Sequence, residues 1–128
     1  MLTFYRIITN NPLVLEEVKG IKIELCSDLT EIMTRVRDYI HQGYRLTSHP
    51  LAGSVKPVQN PYRSIVINSG PGGLDLFSLQ VLESARSKVE QFKESYQKQD
   101  YHAAVLADYQ TIDLSLLKGC LKRITIKN

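Results

Sequence analysis

The hydrophobic pattern changes period along the chain, and each change marks an element. Thr3 to Thr9 is a run of β-branched and aromatic side chains, which predicts a buried strand. It stops at Asn10-Asn11-Pro12. Asn is a favoured N-cap and Pro a favoured first helical residue, so a short helix is expected there, with Gly20 as its stop. Ile21, Ile23 and Leu25 alternate with Lys22 and Glu24, the pattern of a half-buried strand. Asp28 followed by Glu31 is a capping-box-like start, and Leu29, Ile32, Met33, Val36 and Ile40 then share one helical face up to Gly43. Tyr44 to Ser48 and Ser64 to Asn68 read as two more strands. Between them, from His49 to Tyr62, no period survives. Pro50, Pro57 and Pro61 exclude a continuous helix or a central strand, while Leu51, Val55 and Val58 argue for a packed loop.

After a turn at Ser69 to Gly73, Leu74 to Tyr96 reads as a long helix. Its apolar stripe runs through Phe77, Val81, Leu82, Ala85, Val89, Phe92 and Tyr96. Asp100 suits the cap of a further helix near Tyr101 to Tyr109. Leu114 to Lys122 looks helical, and Arg123 to Lys127 alternates as a short edge strand would. This order predicts one α/β domain over residues 1–128, a small and mainly parallel sheet of about four strands flanked by helices, with a helical C-terminal third. The first two strand-helix units are expected to be parallel crossovers. The Tyr44 and Ser64 strands are joined without a helix, so either an antiparallel pair or a crossover satisfies the pattern.

Composition narrows the class. With 128 residues, 43% hydrophobic and 23% charged, the chain can bury a core without disulfides or metal, which excludes a disordered, collagen-like or rod-like protein. No apolar run approaches the ~18 residues of a membrane span. The opening run carries Arg6 and no small-residue cleavage site, which argues against a signal peptide. Cys26 and Cys120 form no C-x-x-C and no metal motif, and the three histidines are scattered. The expectation is a cytoplasmic protein with reduced thiols, no metal and no cofactor. The net charge of +3 is spread over both halves, and no basic run exceeds Lys122-Arg123, so neither nucleic acid nor a membrane is expected as a partner.

The charge is nevertheless uneven. Residues 39–74, 36 positions between Asp38 and Asp75, hold no acidic side chain. They hold Arg45, Lys56, Arg63, His41 and His49, with four of the five prolines and five of the seven glycines. An acid-free, basic stretch rich in turn residues is a candidate anion site. The strand ends add polar groups at Asn10-Asn11, Cys26-Ser27-Asp28, Ser48-His49 and Asn68-Ser69-Gly70, residue types that ordinary caps and turns also use. The candidate ligand-binding set is Asn10, Asn11, His49, Gly53, Ser54, Lys56, Arg63 and Asn68, with Ser54 and Lys56 as first contacts of a small anionic ligand. Gly70-Pro71-Gly72-Gly73 matches neither phosphate-loop spacing and reads as a turn. Cys26 sits just before a helix start, a place that can lower a thiol pKa, though most such cysteines are buried small hydrophobes.

Three segments carry a resemblance to a known family: Ile8-Thr-Asn-Asn-Pro12, Ser48-His-Pro-Leu-Ala-Gly-Ser-Val-Lys-Pro57 and Asn60-Pro-Tyr-Arg-Ser64. Together they resemble the GrdX family, small bacterial proteins found alongside glycine, sarcosine or betaine reductase systems of anaerobic amino-acid fermenters. The resemblance spans about Ile8 to Asn68, and the H-P-L-x-G-S-x-K-P segment is its most specific part. It implies an accessory role in that metabolism and a bacterial cytosol, and it supplies no catalytic residue or cofactor. Three kinds of function stay open: an accessory module that binds a small anion at the 49–63 loop, a small enzyme using His49, Lys56 or Cys26 on such a ligand, and an interaction protein that forms a homodimer or docks a partner through the 74–96 helix.

Overall fold

The computed structural model describes residues 4–50, 60–70, 72–97 and 102–127. Among these the order is β1 (Tyr5–Thr9), α1 (Pro12–Glu17), β2 (Lys22–Leu25), α2 (Leu29–His41), β3 (Tyr44–Leu46), β4 (Ser64–Ser69), α3 (Leu76–Gln97) and α4 (Ala103–Lys127). Local chemistry starts the helices. Asn11 caps α1 by accepting from Leu13 N at 3.1 Å, with Pro12 as its first helical residue. Asp28 caps α2 by accepting from Glu31 N at 2.8 Å, and Glu31 reaches back to Ser27 N at 3.2 Å. Asp75 accepts from Ser78 N at 3.3 Å at the head of α3.

The strands form one sheet in the order β2-β1-β4-β3. β1 pairs parallel with β2, as expected of the first crossover, but β4 runs antiparallel to both of its neighbours. The sheet is therefore mixed, not mainly parallel. Pro50, Pro57 and Pro61 argue in the sequence against a crossover helix between β3 and β4, and β4 lies beside β3 in the opposite direction. β3 consequently points the same way as β1 and β2, from the far edge of the sheet, and α2 carries the chain across.

Alternation along the central strands builds two cores. Ile8, Ile65 and Ile67 face α2 and α3, where Ile32, Met33, Val36, Leu82 and Ala85 are buried. Ile7 and Val66 face the other way, against Val14 of α1 and Leu114, Leu117, Cys120 and Ile124 of α4. Helices thus cover both faces, which explains the unbroken apolar run Ile65 to Ile67.

Two helical readings are corrected by this packing. The C-terminal third is one helix, α4, and Arg123 to Lys127 continue it instead of forming an edge strand. The alternating pattern there is real, but a helix sets Ile124 in line with Leu117 and Cys120 on the buried stripe. In α3 the stripe begins later than expected: Phe77 is 73% exposed, and the neighbouring Ser78 takes the inward position, accepting from Leu46 N at 3.0 Å. The side chains of Phe92 and Tyr96 lie outside the described residues.

Candidate functional site

The polar residues that strand alternation sends toward α4 are Thr9 of β1 and Ser64 of β4, paired across the sheet. They meet the carboxylate of Asp113 in the middle of α4. Ser64 Oγ donates to Asp113 Oδ2 at 2.7 Å, and Asn11 Nδ2 donates to the same oxygen at 3.0 Å. The hydroxyls of Thr9 and Ser64 lie 2.7 Å apart, and Asn11 N donates to Thr9 Oγ1 at 3.0 Å. This knot ties β1, β4, the head of α1 and α4 together. Burial raises the pKa of Asp113 above its ordinary value, opposed by the hydrogen bonds from Asn11 and Ser64 and by the charge of Arg63.

Beside the knot a cavity of about 280 Å³ opens between β4, the end of β3 and α4. Its polar lining includes Ser48, His49, Arg63, Ser64, Asp113 and Arg123, and Val66, Leu116, Leu117 and Cys120 form its apolar wall. Arg63 is 4% exposed and Asp113 5%, so both charges are held in a low-dielectric wall. The volume lies just below the roughly 300–1,000 Å³ of pockets for drug-sized ligands, which fits a small metabolite. A groove of about 530 Å³ shares Thr47, Ser48 and His49 with this cavity and continues past Asn68, Asp75 and Phe77.

The structure sorts the candidate residues. His49 and Arg63 line the cavity. Asn10 does not line it; its side chain holds the backbone leading into β4, Oδ1 accepting from Arg63 N at 2.8 Å and Nδ2 donating to Pro61 O at 2.8 Å. Asn11 is fully buried, with its amide bonded to Leu13, Gln110 and Asp113. Asn68 is not brought to the same place. It sits four residues along β4 from Ser64, roughly 13 Å at strand rise, and its Nδ2 donates to Thr47 Oγ1 at 2.7 Å in the neighbouring groove. The antiparallel direction of β4 is the cause, because it places the start of that strand, not its end, beside Thr9. Gly53, Ser54 and Lys56 lie outside the described residues.

Sequence reasoning missed Asp113, which brings a carboxylate into a region expected to be free of acid. The signal was present: Asp113 lies four residues before Leu117 on the apolar stripe of α4, where a charge is out of place. Arg123 was legible only as a surface cation. Cys26 departs from the reactive-thiol reading, because burial and the adjacent Glu31 carboxylate push its thiol up to about 11. Cys120 is raised as well, by burial, against the pull of Arg123. Among the described residues no group of three or more His, Cys, Asp or Glu side chains is placed to hold a metal ion. No described helix is long and apolar enough to cross a membrane.

On the opposite face Arg6, Glu24 and Tyr39 form a second polar cluster. Arg6 donates to Glu24 at 2.7 Å and to the Tyr39 hydroxyl at 2.9 Å, Arg35 donates to Glu24 at 2.9 Å, and Tyr39 donates to Glu24 as well. The Arg6 guanidinium also stacks over the Tyr39 ring, 4.9 Å from its centroid. This cluster stitches β1 and β2 to α2, and no described cavity opens onto all three residues.

Fold and site together define a small three-layer α/β protein with a charged cleft between its mixed sheet and its last helix. A family model described as GrdX-like protein matches residues 6–122, and the chain belongs to that family. No match was found among curated proteins or among solved structures.

Proposed function

We propose that this GrdX-like chain is an accessory protein of glycine reductase-type amino-acid metabolism that binds a small anionic ligand in the cleft between β4 and α4. Family membership supports the metabolic setting. The observation that carries the binding reading is the lining of the cleft: Arg63 and Arg123 with His49, Ser48 and Ser64 around one small cavity. Guanidinium forks and hydroxyls suit a carboxylate or a phosphate-type oxyanion. His49 and Arg63, the two ends of the 49–63 segment, share this cleft with a wall from α4.

Calorimetric titration with phosphate and with acetate tests the reading. At least one should bind, and Arg123→Ala should weaken that binding about tenfold, the worth of one charge-assisted contact. Absence of binding by both, or an unchanged affinity in the variant, removes the anion site.

A second reading, self-association through α3, is favoured by Leu76 and Phe77, which stand 63% and 73% exposed side by side at its head. Sedimentation at high protein concentration decides it: a dimer that Phe77→Asp disrupts supports the reading, and a monomer at all concentrations ends it.

A further inference from the structure

We propose that the cleft selects oxyanions that carry their own proton, with hydrogen phosphate as the representative, and rejects fully ionised oxyanions of the same shape and charge. The inference rests on the anion-site reading above and adds the chemical class of the ligand.

The cleft holds charges of both signs. Arg63 and Arg123 would attract any oxyanion, but Asp113 shares the same wall and is itself buried. Ser64 Oγ and Asn11 Nδ2 both donate to its Oδ2. Burial raises its pKa, and these hydrogen bonds, a further one from the Ser64 backbone and the charge of Arg63 oppose that; as a carboxylate it has about four lone-pair sites, so acceptor capacity remains. A ligand oxygen without a hydrogen meets that wall as a like charge. A ligand oxygen bearing a hydrogen meets it as a donor and gains a short, charge-assisted bond. Arginines alone would not discriminate between the two; a carboxylate among them does.

At pH 8 hydrogen phosphate and sulfate are both tetrahedral dianions, and only hydrogen phosphate retains a proton. Hydrogen arsenate and selenate repeat the contrast. The experiment is calorimetric titration of the full chain with these four anions at pH 8 and fixed ionic strength. Phosphate and arsenate should bind at least about tenfold more tightly than sulfate and selenate. In Asp113→Asn the amide can still accept from Asn11 and Ser64 but presents no charge, so the preference should shrink as sulfate binding rises. Equal affinity for all four, or tighter sulfate, overturns the inference and leaves the anion site standing. Acetate binding with none of the four also overturns it. No binding of acetate or of any of the four removes the anion site and this inference together. If Asp113→Asn does not fold, the four titrations of the unmodified protein decide the matter by themselves.

Discussion

Ser64 Oγ donates a 2.7 Å hydrogen bond to Asp113 Oδ2, joining the first residue of β4 to the middle of α4 across 49 positions of sequence. The carboxylate is 5% exposed, and it stays polar-satisfied only because β1, β4 and the head of α1 present donors or hydroxyls to the same point. The bond therefore fixes the wall of the cleft as well as the docking of the last helix.

Asp113→Leu should be strongly destabilising, because it leaves Asn11 Nδ2 and the Ser64 hydroxyl short of a buried acceptor. Each unsatisfied group costs about 1–3 kcal/mol. Asp113→Asn keeps an acceptor oxygen and should cost less. Urea denaturation of both variants checks the order, and equal stabilities would show that the knot contributes little.

Asn11→Asp separates capping from charge. The substitution keeps the acceptor that caps α1 but sets a second carboxylate against Asp113, in place of the present 3.0 Å donor. Stability at pH 8 should fall below that of Asn11→Ala and recover on acidification, as one of the two carboxyls takes up a proton. A melting-temperature series against pH reads this directly.

Two carboxylates give acid titration opposite signs. Burial pushes Glu24 up, but hydrogen bonds from Tyr39, Arg6 and Arg35 outweigh it, and its folded pKa is lowered. The stability it contributes is present above its unfolded pKa of about 4.3 and is lost as pH falls through the lower folded value. Asp113 is raised in the fold, so its contribution grows as pH falls through the raised value toward about 3.9. Glu24→Gln should flatten the acid limb of the stability curve, and Asp113→Asn should steepen it. Denaturation midpoints between pH 3 and pH 7 test both slopes.

Cys26 should be unreactive at neutral pH. With its thiol pushed up to about 11 and its side chain buried, the thiolate fraction is very small. A disulfide reagent at pH 8 should modify it slowly in the native protein and rapidly in denaturant. Fast native labelling at Cys26 would revive a thiol-based enzyme reading.

Ile124→Ala should cost about 2 kcal/mol or more, the price of a cavity in the core that Leu117 and Cys120 share. A frayed end or an edge strand at 123–127 would tolerate the change with little loss. Thermal unfolding of the variant distinguishes the two.

Much of the fold was determined by short-range chemistry. The caps at Asn11 and Asp28, the stripe of α2 and the buried run of β4 are local features, because a cap needs only a donor two or three residues away and a face needs only the right period. The 49–63 region was marked by its missing acids and its prolines, and the family segments lie in and around it. What the tertiary structure decided are the relations among distant segments. The direction of β4 depended on which neighbours it could pair with, and pairing is not written in the strand itself. The same choice moved Asn68 away from the cleft and set Ser64 beside Thr9. Arg123 to Lys127 has a strand's alternation, yet burial against Ile7 and Val66 made its segment helical, since tertiary packing outweighs a weak local preference. Asp113 and Arg123 joined the site for a similar reason: α4 is distant in sequence, and only its docking on the sheet brings their charges to His49 and Arg63.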